Sequence, residues 1–95
     1  MNKVRIGAIY YQVEYVPNLR DGDEPIDGQL AHDESAIKLE STLSPAAQRA
    51  TLWHEVMHAI LVHAGYERHD EGQLAALSYG IMQVLVDNPE LRGEQ

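Results

Sequence analysis

The sequence contains no cysteine, and it has few basic residues and no long apolar run. Without cysteine there is no disulfide framework and no thiolate metal site, so a bound metal must use imidazole and carboxylate ligands. Lysines and arginines number 7 against 15 aspartates and glutamates, which gives a formal net charge of −8. Because nucleic acids and anionic membranes bind mainly to positive side chains, neither is an expected partner.

The length of the chain, 95 residues, fits one small domain over residues 1–95. The N-terminal residues lack the apolar stretch of a signal peptide. No segment approaches the roughly 18 uninterrupted apolar residues of a membrane-spanning helix. We therefore expect a soluble, cytoplasmic protein.

Strand signals fill the front half of the chain, over about residues 3–40. Apolar side chains alternate at period two, first at Val4 and Ile6 and then along residues 9–15. This pattern predicts two strands, or one strand bent at Gly7. A polar loop follows over residues 17–27, with four acidic side chains that lack the spacing of a calcium loop.

A second strand pair is predicted around a short polar stretch. Residues 28–31 and 36–40 flank this stretch and are expected to return on one another as a hairpin. His32 and Asp33 would lie at its tip. We interpret them as turn residues. The alternative is that they form hydrogen bonds to the residues that bind the metal.

Two helices are predicted in the second half. The first covers about residues 45–64, because Ser44 can cap it, Pro45 fits its first position and Gly65 supplies a left-handed stop. The second covers about residues 71–86, and a frayed tail follows over residues 89–95. The predicted buried stripe of the first helix is Ala50, Trp53, Val56, Met57, Ile60, Leu61 and Ala64, and that of the second is Leu74, Leu77, Ile81, Val84 and Leu85.

These elements predict an α+β fold, in which a small, mostly antiparallel sheet of three or four strands packs against two helices. The first helix carries the pentad His54-Glu55-Val56-Met57-His58 in its middle. Histidines four residues apart project from one face of a helix and can bind one metal ion. Glu55 is rotated by about 100° from His54, beside the metal position, where a general base is needed.

A third protein ligand is required, since catalytic zinc sites normally use three and keep one position for water. The candidates after the pentad are His63, Glu67, His69, Asp70 and Glu71. His63 should point away, because it lies about 140° around the helix from His58. Glu71 is the preferred ligand, since the opening of the second helix would aim its carboxylate, and His69 and Asp70 are the alternatives.

The pentad is followed by Ala59-Ile60-Leu61, Ala64-Gly65, His69-Asp70-Glu71 and Gln83-Val84-Leu85-Val86-Asp87-Asn88-Pro89. In these features the chain resembles the minimal zincin-like metallopeptidase proteins of bacteriophages and prophages, which are similar in outline to gluzincins. The resemblance implies a zinc ion held by His54, His58 and Glu71, with Glu55 as the base, in a bacterial host cell.

The function predicted on these grounds is a zinc-dependent metallopeptidase that acts on a protein or peptide substrate. Tyr66 and Tyr79 are candidates for stabilising the oxyanion, or else packed aromatics. Two alternatives remain open at this point. The metal could be purely structural, or the chain could be an acidic protein-binding module that acts through residues 17–27.

Overall fold

The computed structural model describes residues 2–66, 68 and 70–93. Its regular elements follow in chain order, with short 3₁₀ turns over His32–Glu34 and Pro89–Arg92. The second turn occupies part of the tail that was expected to be frayed. The strands are β1 (Lys3–Ile6), β2 (Ile9–Val16), β3 (Arg20–Asp21), β4 (Glu24–Pro25), β5 (Gly28–Ala31) and β6 (Ala36–Glu40), and the helices are α1 (Pro45–His63) and α2 (Glu71–Asp87).

Four of the strands form the main sheet, in the order β1-β2-β6-β5. The pairs β1–β2 and β5–β6 are antiparallel hairpins, whereas β2 and β6 run parallel. Gly7, with φ +60, makes the turn between β1 and β2. Its positive φ is the conformation that glycine adopts without steric cost. The predicted α+β fold with a mostly antiparallel sheet and two helices is confirmed.

The segment predicted to be wholly loop contains some order. β3 and β4 pair as a separate two-stranded ribbon, with Arg20 opposite Pro25 and Asp21 opposite Glu24. Leu19 just before the ribbon is buried at 6% exposure. The acidic side chains remain exposed, as predicted for this segment.

The core lies between the sheet and α1. It consists of Ile6, Tyr11, Val13, Ile37, Leu39 and Ala59, with Val4, Leu30, Leu52 and Val56 packed around it. α1 lies on β5 and β6, and α2 packs against α1. Neither helix, over the described part of the chain, has the length and apolar character needed to cross a membrane.

The predicted buried stripes of both helices are only partly correct. In α1 the fully buried residues are Glu55 and Ala59, and Ile60 is 45% exposed. In α2 Leu74 is buried, but Leu77 and Val84 are exposed. Apolar periodicity marks the positions that can be buried, but only the side that meets another layer becomes buried. α2 is the outer layer and contacts α1 along one side.

Candidate metal centre

The two histidines of the pentad lie one turn apart in the middle of α1. The Ser44 hydroxyl accepts a hydrogen bond from the Ala47 N–H and Pro45 takes the first turn, so the helix begins where the sequence predicts. The Nε2 atoms of His54 and His58 are 3.1 Å apart, and their ring centroids are 4.8 Å apart. Both side chains are mostly buried, at 20% and 17% exposure. The imidazoles therefore converge on one point.

Glu71, the first residue of α2, reaches the same point from the other helix. Its Oε2 lies 3.5 Å from Nε2 of His54 and 3.3 Å from Nε2 of His58. The start of α2 is held by Asp70, whose Oδ1 accepts the N–H of Gln73 at 2.8 Å. This cap sets the position of the first helical turn and therefore of the Glu71 carboxylate. The chain between the helices is long enough to bring the two groups together.

The three donor atoms fit a small divalent ion. Tetrahedral zinc, with bonds of about 2.0–2.1 Å, requires its ligand atoms to lie about 3.3 Å apart. The measured separations are 3.1, 3.3 and 3.5 Å. A point equidistant from the three atoms in their plane lies about 1.9 Å from each, slightly inside that bond length. His54, His58 and Glu71 are thus close enough to bind a metal ion.

Glu55 lies between the two histidines in sequence but is buried, at 7% exposure. Burial, together with a smaller contribution from the nearby negative charge of Glu71, raises the pKa of its carboxyl from 4.5 to about 7. The side chain packs against β5. A Cβ atom on Gly28 would lie 3.2 Å from Oε2 of Glu55 and only 2.5 Å from Cγ2 of Thr51. Glycine at this position of the edge strand therefore allows Thr51 and Glu55 of α1 to pack closely against the backbone.

Two of the alternative ligands, Asp70 and His63, make other contacts. Asp70 caps α2, and its carboxylate accepts a hydrogen bond from the Gln73 N–H. His63 points away from the pentad histidines, as predicted, and its Nε2 lies 2.7 Å from the Tyr11 hydroxyl. Glu67 and His69 are outside the described residues.

The remaining predicted residues lie on the surface. Tyr66 and Tyr79 are 62% and 50% exposed, so the interpretation as packed aromatics is wrong. A role for either hydroxyl in stabilising an oxyanion stays a prediction. His32 is an exposed turn residue, as interpreted, and its Nδ1 lies 3.3 Å from the Tyr11 hydroxyl. It thus belongs with Tyr11 rather than with the pentad.

Sequence reasoning missed two features of this region. The first is Gly28, although a glycine within a strand pattern signals a close approach to the backbone and could have been noticed. The second is the contact of His63 and His32 with the buried hydroxyl of Tyr11. These three residues are far apart in the sequence and come from a helix, a turn and a strand. No local pattern connects them.

No family model matches the chain, and neither a curated protein nor a solved structure shows a significant match to it. The assignment of the metal centre therefore depends on the donor atoms and distances of this chain alone.

Proposed function

We propose that the protein is a zinc-dependent metallopeptidase in which His54, His58 and Glu71 hold the ion and Glu55 is the general base. The observation that carries this proposal is the convergence of one carboxylate and two imidazole donors at 3.1–3.5 Å from one another. Two imidazoles with one carboxylate are a ligand set typical of hydrolytic zinc sites. Other divalent ions also bind to imidazole and carboxylate donors, but zinc is the ion that we expect first for this ligand set.

A zinc ion held at this point would lower the pKa of a water molecule and polarise a substrate carbonyl. Glu55 supplies the proton transfer. In the metal-free protein the pKa of its carboxyl is about 7. The carboxylate can accept a proton from the attacking water and then deliver it to the nitrogen of the leaving amine. A base that accepts and returns a proton works best when its pKa lies close to the operating pH.

The substrate in this proposal is an extended peptide alongside β5. This strand is an edge of the sheet, and Gly28 at its start lies against the Glu55 side chain. An edge strand offers unpaired N–H and C=O groups that can fix a peptide backbone without a deep pocket. A peptide paired with β5 would pass close to the base. The phage origin and the cytoplasmic location both stay predictions.

The test combines metal analysis with digestion of a peptide library. The wild type is expected to bind one zinc ion per chain and to cleave, whereas Glu55→Gln should bind zinc and lose about 100-fold or more in cleavage rate. Glu14→Gln on the exposed side of β2 is the matched control and should cleave normally. Failure of the wild type to bind zinc, or equal cleavage by the wild type and Glu55→Gln, would remove the proposal.

A structural ion is the second candidate, because the donors come from both helices. α2 buries only Leu74 and Ser78 fully, so an ion shared with α1 would add a substantial link between the helices. In that case zinc would raise the melting temperature strongly, Glu55→Gln would leave that rise intact, and no peptide would be cleaved. Cleavage that depends on Glu55 would exclude a purely structural role.

A further inference from the structure

An apolar cavity of about 440 Å³ lies between the sheet and the flank of α1. α1 covers β5 and β6 but leaves the helix-facing side of β1 and β2 partly open. Val4 and Tyr15 face this opening from the strands, and Leu52, Trp53 and Val56 face it from the helix. Pockets that take small ligands begin at about 300 Å³, so this one is large enough for a small molecule.

The cavity is separate from the metal centre. Helical geometry places Val56 about 160° and Trp53 about 100° around α1 from His54. Glu71 lies on the same side of α1 as His54. The cavity therefore opens on the other flank of α1, and a ligand bound there would not contact the metal ligands. This inference does not depend on the proposed peptidase activity.

Arg49 is the charged residue of the lining, which is otherwise apolar apart from Gln48 and the Tyr15 hydroxyl. The Gln48 amide donates to the Ser41 carbonyl at 3.2 Å. The Arg49 guanidinium is exposed and has no hydrogen bond or ion pair within the part of the chain that the structure describes. In a chain with a formal net charge of −8, a guanidinium that no carboxylate neutralises is notable. Its charge selects for an anion.

We propose that this cavity binds a small amphiphilic carboxylate of the medium-chain fatty acid class. The aliphatic chain fills the space between Val4, Leu52 and Trp53, and the carboxylate pairs with Arg49 at the mouth. An apolar lining with one polar group that fixes orientation is the usual composition of a small-molecule site. A bidentate Arg–carboxylate pair supplies that orientation.

Trp53 is the single tryptophan of the chain and lines the cavity, so its fluorescence reports occupancy directly. Titration with decanoate, below the concentration at which it forms micelles, should give a saturable change at one ligand per chain. From hexanoate to decanoate the affinity should rise about three- to fourfold per added methylene, as expected for burial of an aliphatic chain. Decylamine, with the opposite charge, should bind at least tenfold more weakly than decanoate.

Two variants separate the head and tail contacts. Arg49→Gln should weaken decanoate binding about tenfold and leave decanol binding unchanged, whereas Arg5→Gln, which removes a charge outside the cavity, should change neither. Val4→Phe should fill part of the cavity without adding a second tryptophan and should abolish binding of both ligands, with an unaltered far-ultraviolet circular dichroism spectrum as evidence that the chain has folded. The proposal is overturned if decanoate gives no saturable change, or if Arg49→Gln binds it as tightly as the wild type. A concentration-dependent dimer that excludes decanoate would also overturn it, because a second copy would then occupy the cavity.

Discussion

The Glu55 side chain packs against the backbone of Gly28: a methyl group on that glycine would come 3.2 Å from Oε2 of Glu55. The same methyl group would come 2.5 Å from Cγ2 of Thr51, closer than side chains approach one another. Both neighbours belong to α1, which packs on β5 at this point. A residue of the edge strand therefore helps to determine the position of the proposed base.

Gly28→Ala should separate α1 from β5 and displace Glu55. We expect a loss of about 1–3 kcal/mol in the free energy of unfolding, typical of an overpacked contact, together with reduced peptide cleavage. Urea denaturation measures the first effect. Gly80→Ala is the matched control, since, apart from the backbone of its own helix, no atom of the described residues lies within 4 Å of the added methyl group. It should stabilise α2 by about 0.5–1 kcal/mol. Equal stabilities for the two variants would contradict the proposed contact.

Glu71→Gln tests the third ligand. Loss of the carboxylate charge should weaken zinc binding by about 100-fold or more, because only the two imidazoles then remain as strong ligands of the ion. Competition with a fluorescent zinc chelator measures the affinity. Glu90→Gln removes an exposed carboxylate from the last 3₁₀ turn and should bind zinc like the wild type. Unchanged affinity in Glu71→Gln would assign the third ligand elsewhere.

The pKa of Glu55 predicts how the stability of the metal-free protein depends on pH. Burial, with a smaller contribution from the charge of Glu71, raises this pKa from 4.5 to about 7, so the folded state holds the proton more tightly than the unfolded state. The corresponding stability is fully present below pH 4.5 and is lost as the pH rises through about 7, by up to roughly 3 kcal/mol. Urea unfolding in a chelating buffer measures the loss.

Glu55→Gln isolates the contribution of this carboxyl from those of the other ionisable side chains. The difference in unfolding free energy between wild type and variant should change between pH 4.5 and about 7 and stay constant at higher pH. A constant difference across the whole range would mean that the carboxyl is not buried in solution.

Glu40 should produce the opposite dependence, on the acid side. Its Oε1 accepts the Leu19 N–H at 2.7 Å and its Oε2 accepts the Thr42 N–H at 3.1 Å. These hydrogen bonds hold the pKa of Glu40 below its usual value, and the bond from Leu19 has the largest effect. The stabilisation is therefore present above the unfolded-state pKa and is lost as the pH falls through the lower folded-state pKa. Glu40→Gln should flatten this part of an acid titration followed by circular dichroism, and Glu14→Gln should not.

The hydroxyl of Tyr11 joins the end of α1 to the sheet. It lies 2.7 Å from Nε2 of His63, and the Tyr11 side chain is 1% exposed. Tyr11→Phe should cost about 1 kcal/mol of unfolding free energy, the usual net value of one hydrogen bond. Tyr10→Phe, at a ring that is 54% exposed, should cost nothing measurable in thermal denaturation. A Tyr11→Phe protein as stable as the wild type would mean that water replaces the contact.

Much of the local structure could be predicted because its causes are short-range. Ser44 and Pro45 mark the start of α1, Asp70 marks the start of α2, and both helices begin there. The two antiparallel hairpins follow from period-two patterns joined by short turns. No such local sequence pattern predicts the parallel pairing of β2 with β6, since the paired residues lie more than twenty positions apart in the sequence.

His54 and His58 are neighbours because a helix repeats every 3.6 residues, so their spacing in the sequence is enough to predict that they lie side by side. The arrival of Glu71 depends on how α2 packs on α1, and the burial of Glu55 depends on how α1 lies against β5. Spacing alone therefore determined the two imidazole donors. The tertiary structure decided the third donor, the raised pKa of Glu55 and the open cavity beside Trp53, because each requires surfaces from separate elements to meet.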